Sequence, residues 1–211
     1  MISLLAIILV SYLAGSFTSG IVLGKVFAGV DVREHGSKNL GATNVFRVLG
    51  PKIAIPVLLL DMAKGVVAVL VISHINFGDL SMDLYWLKII AGLSAISGHL
   101  FPVWLKFKGG KGVAAGGGVL FGLMPLEVGF GILLFAIIVL ITRYVSLGSI
   151  LATFFIFCAL LAEKAYLMID VPKPYMLLAF LLTAMVIYTH RTNITRLLKG
   201  EEHKIGAKTA N

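Results

Sequence analysis

The sequence predicts an all-α integral membrane protein, a polytopic helical bundle of about seven transmembrane helices. Of its 211 residues, 59% are hydrophobic and only 13% are charged, whereas soluble globular domains are about half apolar and about a quarter charged. The mean hydropathy is +1.00. Apolar runs of about 20 residues, the length that spans the hydrocarbon core as a helix, recur along the chain.

Seven apolar segments follow one another from the N-terminus. The first carries no charge and lacks the basic start and the cleavage site of a signal peptide. The fourth and fifth are short and are separated by Pro125 and Glu127, so they are either two short spans or one span with a re-entrant piece. The predicted spans are residues 2–23, 53–75, 85–105, 113–124, 128–142, 145–169 and 175–189.

The distribution of Lys and Arg predicts the orientation of these spans. Connections at residues 76–84 and 125–127 contain neither residue type. With seven spans, every strongly basic segment falls on one side of the membrane, as the positive-inside rule requires. The N-terminus is then outside and the C-terminus is cytoplasmic. The basic residues concerned are Lys25, Arg33, Lys38, Arg47, Lys52, Lys106, Lys108, Lys111, Arg143, Arg191, Arg196, Lys199, Lys204 and Lys208.

The chain is predicted to form one membrane-embedded domain over residues 1–211, with residues 196–211 as a frayed basic cytoplasmic tail. The net charge of +8 follows from the positive-inside bias, so nucleic acid is not an expected partner. Cys158 is the single cysteine and lies in an apolar run. No His or Cys set has the spacing of a metal site, and we expect neither a metal nor a cofactor.

The connection at residues 25–50 contains the polar stretch HGSKNLGATN, and it is too long to be a simple link between spans. Its apolar residues favour a folded loop over a disordered one. Gly36 and Gly41 permit tight turns and close approach of backbone N–H groups to an anion. Arg47 adds a planar guanidinium that suits phosphate. The other polar side chains are Ser37, Lys38, Asn39, Thr43 and Asn44.

A second polar segment, FKGGKGVAAGGG at residues 107–118, alternates lysine with glycine where a short helix is predicted to begin. Backbone donors, a helix N-terminus and ammonium groups together favour bound phosphate. The segment is not a Walker A loop, because Gly112 follows Lys111 in place of Ser or Thr. The alternative is that Lys108 and Lys111 only anchor the helix ends on the cytoplasmic side.

Three further sets of residues are candidates. In HRTNITRLLKG, His190 and Asn193 share a face if the last span continues as a helix, although an interfacial histidine can also be a headgroup contact. Asp61 and Lys64 are spaced for a buried ion pair, either structural or functional. His99 lies near the cytoplasmic end of the third span, where it either orients the lysine loop or faces the site directly.

Four motifs in order resemble the bacterial acyl-phosphate:glycerol-3-phosphate acyltransferases, the PlsY family: GSKNLGATN, DMAKG, GHLFPVWLKFKGGKGVAAGGG and HRTNITRLLKGEEHKIG. The resemblance covers nearly the whole chain. It implies a multi-pass enzyme of the bacterial inner membrane whose active site faces the cytoplasm. Such an enzyme transfers a fatty acyl group from acyl phosphate to glycerol 3-phosphate, giving lysophosphatidic acid for phospholipid synthesis. The implied partners are these two substrates and membrane lipid, and the protein is expected to be a monomer.

The resemblance also implies roles for individual residues. The phosphate of glycerol 3-phosphate is expected near Ser37, Arg47, one loop lysine, His190 and Asn193. The acyl-phosphate head is expected against backbone N–H groups of Gly109, Gly110 and Gly112 and against Thr43 and Asn44. The predicted catalytic residues are Ser37, Asn39, Arg47, Lys111, His190 and Asn193. The predicted substrate-binding residues are Lys38, Gly41, Thr43, Asn44, Lys106, Lys108, Gly109, Gly110, Gly112 and His99.

Two questions stay open at this level. No side chain stands out as a general base, and one hypothesis is that a substrate phosphate oxygen takes the hydroxyl proton. A membrane transporter of organic phosphates is the alternative function. Transporters usually place polar groups and broken helices near the bilayer midplane, whereas the polar motifs of this chain cluster at one face.

Lys38 departs from the glycine that is common at its position in the family. The lysine either adds a phosphate contact or restricts the turn.

Overall fold

The computed structural model describes residues 1–205, and every regular element in that range is a helix. The all-α prediction is therefore confirmed for the described residues; the last part of the predicted tail, residues 206–211 with Lys208, lies outside them. The helices are α1 (Ile2–Gly15), α2 (Ser19–Ala28), α3 (Ala42–Leu49), α4 (Pro51–Leu70), α5 (Leu84–Leu100), α6 (Val113–Leu123), α7 (Pro125–Thr142), α8 (Val145–Tyr166), α9 (Lys173–Thr189) and α10 (Arg191–Leu198).

Five helical segments in the described range are long and apolar enough to cross a membrane: Ile2–Ala28, Pro51–His74, Leu84–Leu105, Pro125–Thr142 and Val145–Tyr166. A sixth results if α9 and α10, which are bent by 59°, count as one span. Helix α6 has 11 residues and is therefore about 16 Å long, roughly half the ~30 Å hydrocarbon core. The predicted count of seven thus depends on α6 and stays a prediction.

The fourth and fifth predicted segments are two separate helices, α6 and α7. Pro125 occupies the first turn of α7, where proline is tolerated because its missing N–H would have no helical partner. Helix α7 is long enough to cross a membrane and α6 is a shorter apolar helix, so both alternatives, two spans or one span with a re-entrant piece, stay predictions.

Residues Met1–Leu123 form the first compact unit, in which glycines bring helix backbones close together. A Cβ on Gly98 of α5 would collide with the backbone of α1 at Tyr12, and one on Gly118 of α6 would collide with the backbone of α4 at Met62. Because glycine has no Cβ, the α1–α5 and α4–α6 pairs pack at a distance that larger residues would prevent.

The long connection between α2 and α4 is folded. Its residues Val32, Leu40 and Val45 are buried together with Ile21 of α2 and Val57 of α4. This packing confirms the expectation that the apolar residues of residues 25–50 dock onto the protein, and it fixes the polar stretch between them.

Residues Met124–Asn211 make up the second compact unit, of which residues 124–205 are described. Within it, α8 packs against both α7 and α9, and the Thr183 hydroxyl of α9 donates to the carbonyl of Ala179 at 2.8 Å. The chain thus divides into two compact units, and the single domain expected from the sequence stays a prediction.

Candidate functional site

Asn44 organises the polar stretch of residues 29–41. Its side chain is 1% exposed, and its Oδ1 accepts hydrogen bonds from the backbone N–H (2.7 Å) and the hydroxyl (3.1 Å) of Ser37. Its Nδ2 donates to the carbonyls of Val32 (2.9 Å), His35 (3.2 Å) and Asn39 (2.9 Å). One buried amide therefore holds the loop in one conformation and orients the exposed Ser37.

The start of α3 is shaped by an Asx turn, in which the Asn39 Oδ1 accepts from the N–H of Gly41 at 2.9 Å. Gly41 is the N-cap of α3, and Thr43 lies half-buried in its first turn. Arg47 follows Asn44 by three residues, in the last turn of α3, and is half-buried. The short helix thus places Thr43 and Arg47 directly after the loop that presents Ser37.

Lys38 has a φ of 58°, in the left-handed region that favours glycine over other residues. This backbone conformation explains why glycine is suited to this position; whether Lys38 adds a phosphate contact or restricts the turn stays a prediction with two alternatives. The Lys38 side chain is exposed.

An ion-pair group that sequence reasoning missed lies at the start of the loop. Asp31 accepts from Arg33 Nε (2.9 Å) and Nη2 (2.6 Å) and lies 3.3 Å from Lys25 Nζ. The hydrogen bonds from Arg33 hold the pKa of Asp31 well below its usual range. Arg33 and Lys25 therefore share Asp31 as a carboxylate partner.

The lysine–glycine loop, residues 106–112, folds back onto the end of α5. Gly109 N–H donates to the Leu100 carbonyl at 2.9 Å, and Gly110 N–H donates to the His99 carbonyl at 3.1 Å. This differs from the expectation that these two N–H groups bind the acyl-phosphate head, because both already have backbone acceptors. Gly109 and Gly110 instead allow the loop to lie close to the end of α5, because neither residue has a side chain.

The first turn of α6 is the remaining candidate in this segment for the predicted anion contact. Gly112 has a φ of 79° and precedes Val113, the first residue of α6, and the first N–H groups of a helix attract anions. Lys106 and Lys108 are exposed and Lys111 is half-buried. Backbone donors and ammonium groups thus occur together in residues 106–115.

A buried polar cluster lies beneath this loop. The Asp61 Oδ1 accepts from the Ser19 hydroxyl at 2.6 Å and lies 2.9 Å from Lys64 Nζ and 3.7 Å from His99 Nδ1. The predicted Asp61–Lys64 ion pair is therefore confirmed. All four side chains are buried and border a narrow cleft, which is also lined by Gly15, Phe17, Thr18, Gly20, Leu40 and Gly110.

In the second unit, the chain bends at His190, so the last span does not continue as one straight helix through Asn193. His190 is buried, and its Nδ1 lies 2.9 Å from the carbonyl of Val186. Since a carbonyl only accepts, Nδ1 is the donor in this contact.

Glu202 holds Asn193 in place. Its Oε1 accepts from Asn193 Nδ2 at 2.6 Å and from the Ser146 hydroxyl at 2.9 Å, and its Oε2 accepts from Arg196 Nε at 2.7 Å. Burial alone would raise the pKa of this carboxyl, but the donors from Asn193, Arg196 and Ser146 together lower it. No sequence pattern singled out Glu202, although the residue lies in the last motif. Its partner Ser146 is 56 residues away in the sequence, so no local pattern indicates their contact.

The start of the predicted tail is also ordered. Ile205 N–H donates to the Arg143 carbonyl at 2.8 Å, and the Lys204 ammonium lies 5.6 Å from the ring centre of Tyr144. Residues 199–205 therefore pack back on the second unit, which differs from a frayed tail beginning at residue 196.

Comparison with known proteins places the chain in one family. The sequence profile described as glycerol-3-phosphate acyltransferase matches residues 5–200. The glycerol-3-phosphate acyltransferase of Synechocystis sp. is 41% identical over 213 residues, covering 98% of this chain and 93% of the relative. That of Bacillus velezensis is 41% identical over 203 residues, covering 94% and 96%.

Two solved structures are also similar. Both are crystal structures of PlsY (YgiH), an integral membrane glycerol 3-phosphate acyltransferase. The glycerol 3-phosphate form has a TM-score of 0.83 at 43% identity, and the lysophosphatidic acid form has a TM-score of 0.82 at 42% identity. Each covers 97% of this chain and 96% of the solved chain. The resemblance found in the four sequence motifs is thus confirmed, and the chain belongs to the glycerol-3-phosphate acyltransferase family of integral membrane proteins.

Proposed function

We propose that this protein transfers a fatty acyl group from acyl phosphate to glycerol 3-phosphate, releasing lysophosphatidic acid and phosphate. The observation that carries the proposal is the match, over almost the whole chain, to an enzyme solved in a glycerol 3-phosphate form and a lysophosphatidic acid form. A transporter of organic phosphates, the alternative left by the sequence, gains no support from this family of acyltransferases.

In this proposal, the phosphate of glycerol 3-phosphate is bound by Ser37, Arg47, Lys111, His190 and Asn193. The Ser37 backbone and hydroxyl are held by Asn44, which supports a hydroxyl that is already oriented in the free enzyme. The buried Asn44 has its polar atoms engaged within the loop, so we assign it a positioning role in place of direct contact with the acyl phosphate. Asn39, whose Oδ1 is used in the turn, keeps the loop in shape and leaves its Nδ2 for a substrate hydroxyl.

The acyl-phosphate head is proposed to lie at the N-terminus of α6, with Lys106, Lys108 and Thr43 as further donors. A hydroxyl oxygen of glycerol 3-phosphate attacks the acyl carbon, and the bond from that carbon to the phosphate oxygen breaks. The leaving phosphate takes the electron pair, and a phosphate oxygen takes the hydroxyl proton. Because acyl phosphate is an activated anhydride, positioning and charge neutralisation carry the catalysis and no acyl-enzyme is required.

The proton acceptor can be tested at His190. If a phosphate oxygen takes the proton, a His190→Ala variant keeps kcat close to wild type and raises KM for glycerol 3-phosphate. If instead kcat falls by a factor of about 100 or more while KM is unchanged, His190 is the general base.

We further propose seven spans with the N-terminus outside, a cytoplasmic active site in a bacterial inner membrane, and a monomer in lipid. The basic residues on alternate connections support this orientation. In a Cys158→Ala background, a membrane-impermeant maleimide is predicted to label Asn76→Cys in intact cells and Lys108→Cys only after permeabilisation. Labelling of Lys108→Cys from outside contradicts the orientation, and a dimer mass in nanodiscs contradicts the monomer.

The phosphate site is tested by comparing two arginines. Arg47→Ala is expected to raise KM for glycerol 3-phosphate by roughly 10–100-fold, since a hydrogen bond to a charged group contributes about 1.5–3 kcal/mol. Arg33→Ala is the matched control, because the Arg33 guanidinium is bound to Asp31 and belongs to no proposed site. Equal effects of both substitutions would contradict the assignment of Arg47.

A further inference from the structure

We propose that Asp61 and His99 are positioning residues: with Ser19 and Lys64 they form a buried polar brace that sets the position of the lysine–glycine loop through contact of the His99 ring with Gly110. The inference rests on the proposed function, because the loop is taken to bind the acyl phosphate. It assigns the brace no contact with substrate. Of the two alternatives that the sequence left open for His99, it favours the one in which His99 orients the lysine loop over the one in which it contacts the substrate directly.

The brace joins three helices at one carboxylate oxygen. Ser19 is the first residue of α2, Asp61 and Lys64 belong to α4, and His99 belongs to α5. The Asp61 side chain is 2% exposed, and its Oδ1 faces all three partners. Lys64 Nζ also donates to the Phe17 carbonyl at 3.1 Å, in the break between α1 and α2. A buried charge is tolerated only when it is paired and hydrogen-bonded, so these partners have little freedom to move.

The link from the brace to the loop is steric. A Cβ on Gly110 would collide with the His99 ring at Nε2, Cε1 and Cδ2. The carbonyl of His99 accepts the Gly110 N–H at 3.1 Å, so the same residue holds the loop from two directions. The ring is buried and its Nδ1 lies 3.7 Å from the Asp61 carboxylate, so it is held by packing against the brace and presents a fixed surface on which the loop rests.

The lysine–glycine loop ends where α6 begins, so a shift at Gly110 is transmitted to the N-terminus of α6 and to the neighbouring lysines. Displacing binding groups by about 1 Å can cost up to roughly 100-fold in catalytic efficiency. Because the brace acts on the binding groups, its loss is expected in KM for acyl phosphate, with kcat largely kept.

The test is a double-mutant cycle at His99 and Gly110. Gly110→Ala is expected to raise KM for palmitoyl phosphate at least about tenfold, because the new methyl meets the ring. Removing the ring in Gly110→Ala/His99→Ala makes space for that methyl, so the double variant is expected to have a lower KM than Gly110→Ala alone. If the change in KM of the double variant equals the product of the changes in the two single variants, the two residues act independently, because independent effects add in free energy. That result would overturn the proposal.

Gly117→Ala is the matched control, because a Cβ at this α6 position meets no atom within 4 Å and should leave KM unchanged. Asp61→Asn keeps an acceptor for Ser19 but removes the charge that pairs with Lys64 in the brace, and it is expected to raise KM with kcat kept. A loss of kcat with KM unchanged in Asp61→Asn would contradict the positioning role.

A readout without turnover separates this inference from the proposed function. In a Cys158→Ala background, the maleimide labelling rate of Lys108→Cys reports the position of the loop. The rate is expected to change in Gly110→Ala and to return toward the parent rate in the double variant, even if the wild type were inactive with acyl phosphate. Identical rates in all three proteins would refute the brace.

Discussion

Replacing Asn44 by alanine is predicted to open the loop that presents Ser37. The substitution removes five hydrogen bonds, two accepted by Oδ1 and three donated by Nδ2. Because the two N–H bonds of Nδ2 are shared among three carbonyls, the five contacts are not independent.

The size of this effect follows from the individual bonds. At about 0.5–1.5 kcal/mol each, five bonds would contribute roughly 2.5–7.5 kcal/mol. Sharing of donors, and access of water to the freed loop groups, favour the lower end, so we take about 3 kcal/mol. Since about 1.4 kcal/mol is a factor of ten, the open fraction of the loop rises by roughly 100-fold.

Loop opening can be measured at Val32, which is fully buried in the loop. In a Cys158→Ala background, the thiol of Val32→Cys should react with a maleimide roughly 100-fold faster when Asn44 is alanine. Asn76→Ala is the control, because it removes one similar turn bond, from Gly78 N–H at 2.8 Å, in another connection. If the Val32→Cys thiol reacts with the maleimide at the same rate with and without Asn44→Ala, the Asn44 amide does not hold the loop closed.

Two further predictions concern stability. Gly118→Ala should lower the Tm in detergent by several degrees, because the added methyl collides with the α4 backbone at Met62. Gly117→Ala is the control and should leave the Tm unchanged, because its methyl meets open space. Equal Tm values for the two variants would contradict the close packing of α4 and α6. Glu202→Gln should lower the Tm at neutral pH. Since the folded state lowers the pKa of Glu202 below its ordinary value of 4.5, its contribution is present above that pH and is lost as the pH falls below it. The Tm difference from wild type should therefore shrink in acid, and a constant difference would contradict this.

Much of the fold could be predicted from the sequence because lipid imposes strong constraints. Apolar runs located the long helices, and the i, i+3 spacing of Asp61 and Lys64 correctly predicted their ion pair. The break of the first span near Phe17 and the bend at His190 were not predicted, since neither contains proline and both depend on tertiary packing.

The chemistry of the polar segments was predicted better than their internal bonding. The residue types predicted phosphate binding, but they could not show that the N–H groups of Gly109 and Gly110 donate hydrogen bonds to carbonyls at the end of α5. Asn44 looked like any other polar loop residue, and only the structure reveals its burial. Contacts between residues far apart in sequence, such as Ser146 with Glu202, have no local signal.

The central claim is the reaction itself, and donor choice tests it most directly. Purified protein would be incubated with glycerol 3-phosphate and either palmitoyl phosphate or palmitoyl-CoA, while lysophosphatidic acid and released phosphate are quantified. We predict equal amounts of both products with palmitoyl phosphate and no lysophosphatidic acid with palmitoyl-CoA. Product from palmitoyl-CoA alone, or none from either donor with folded protein, would contradict the proposed function.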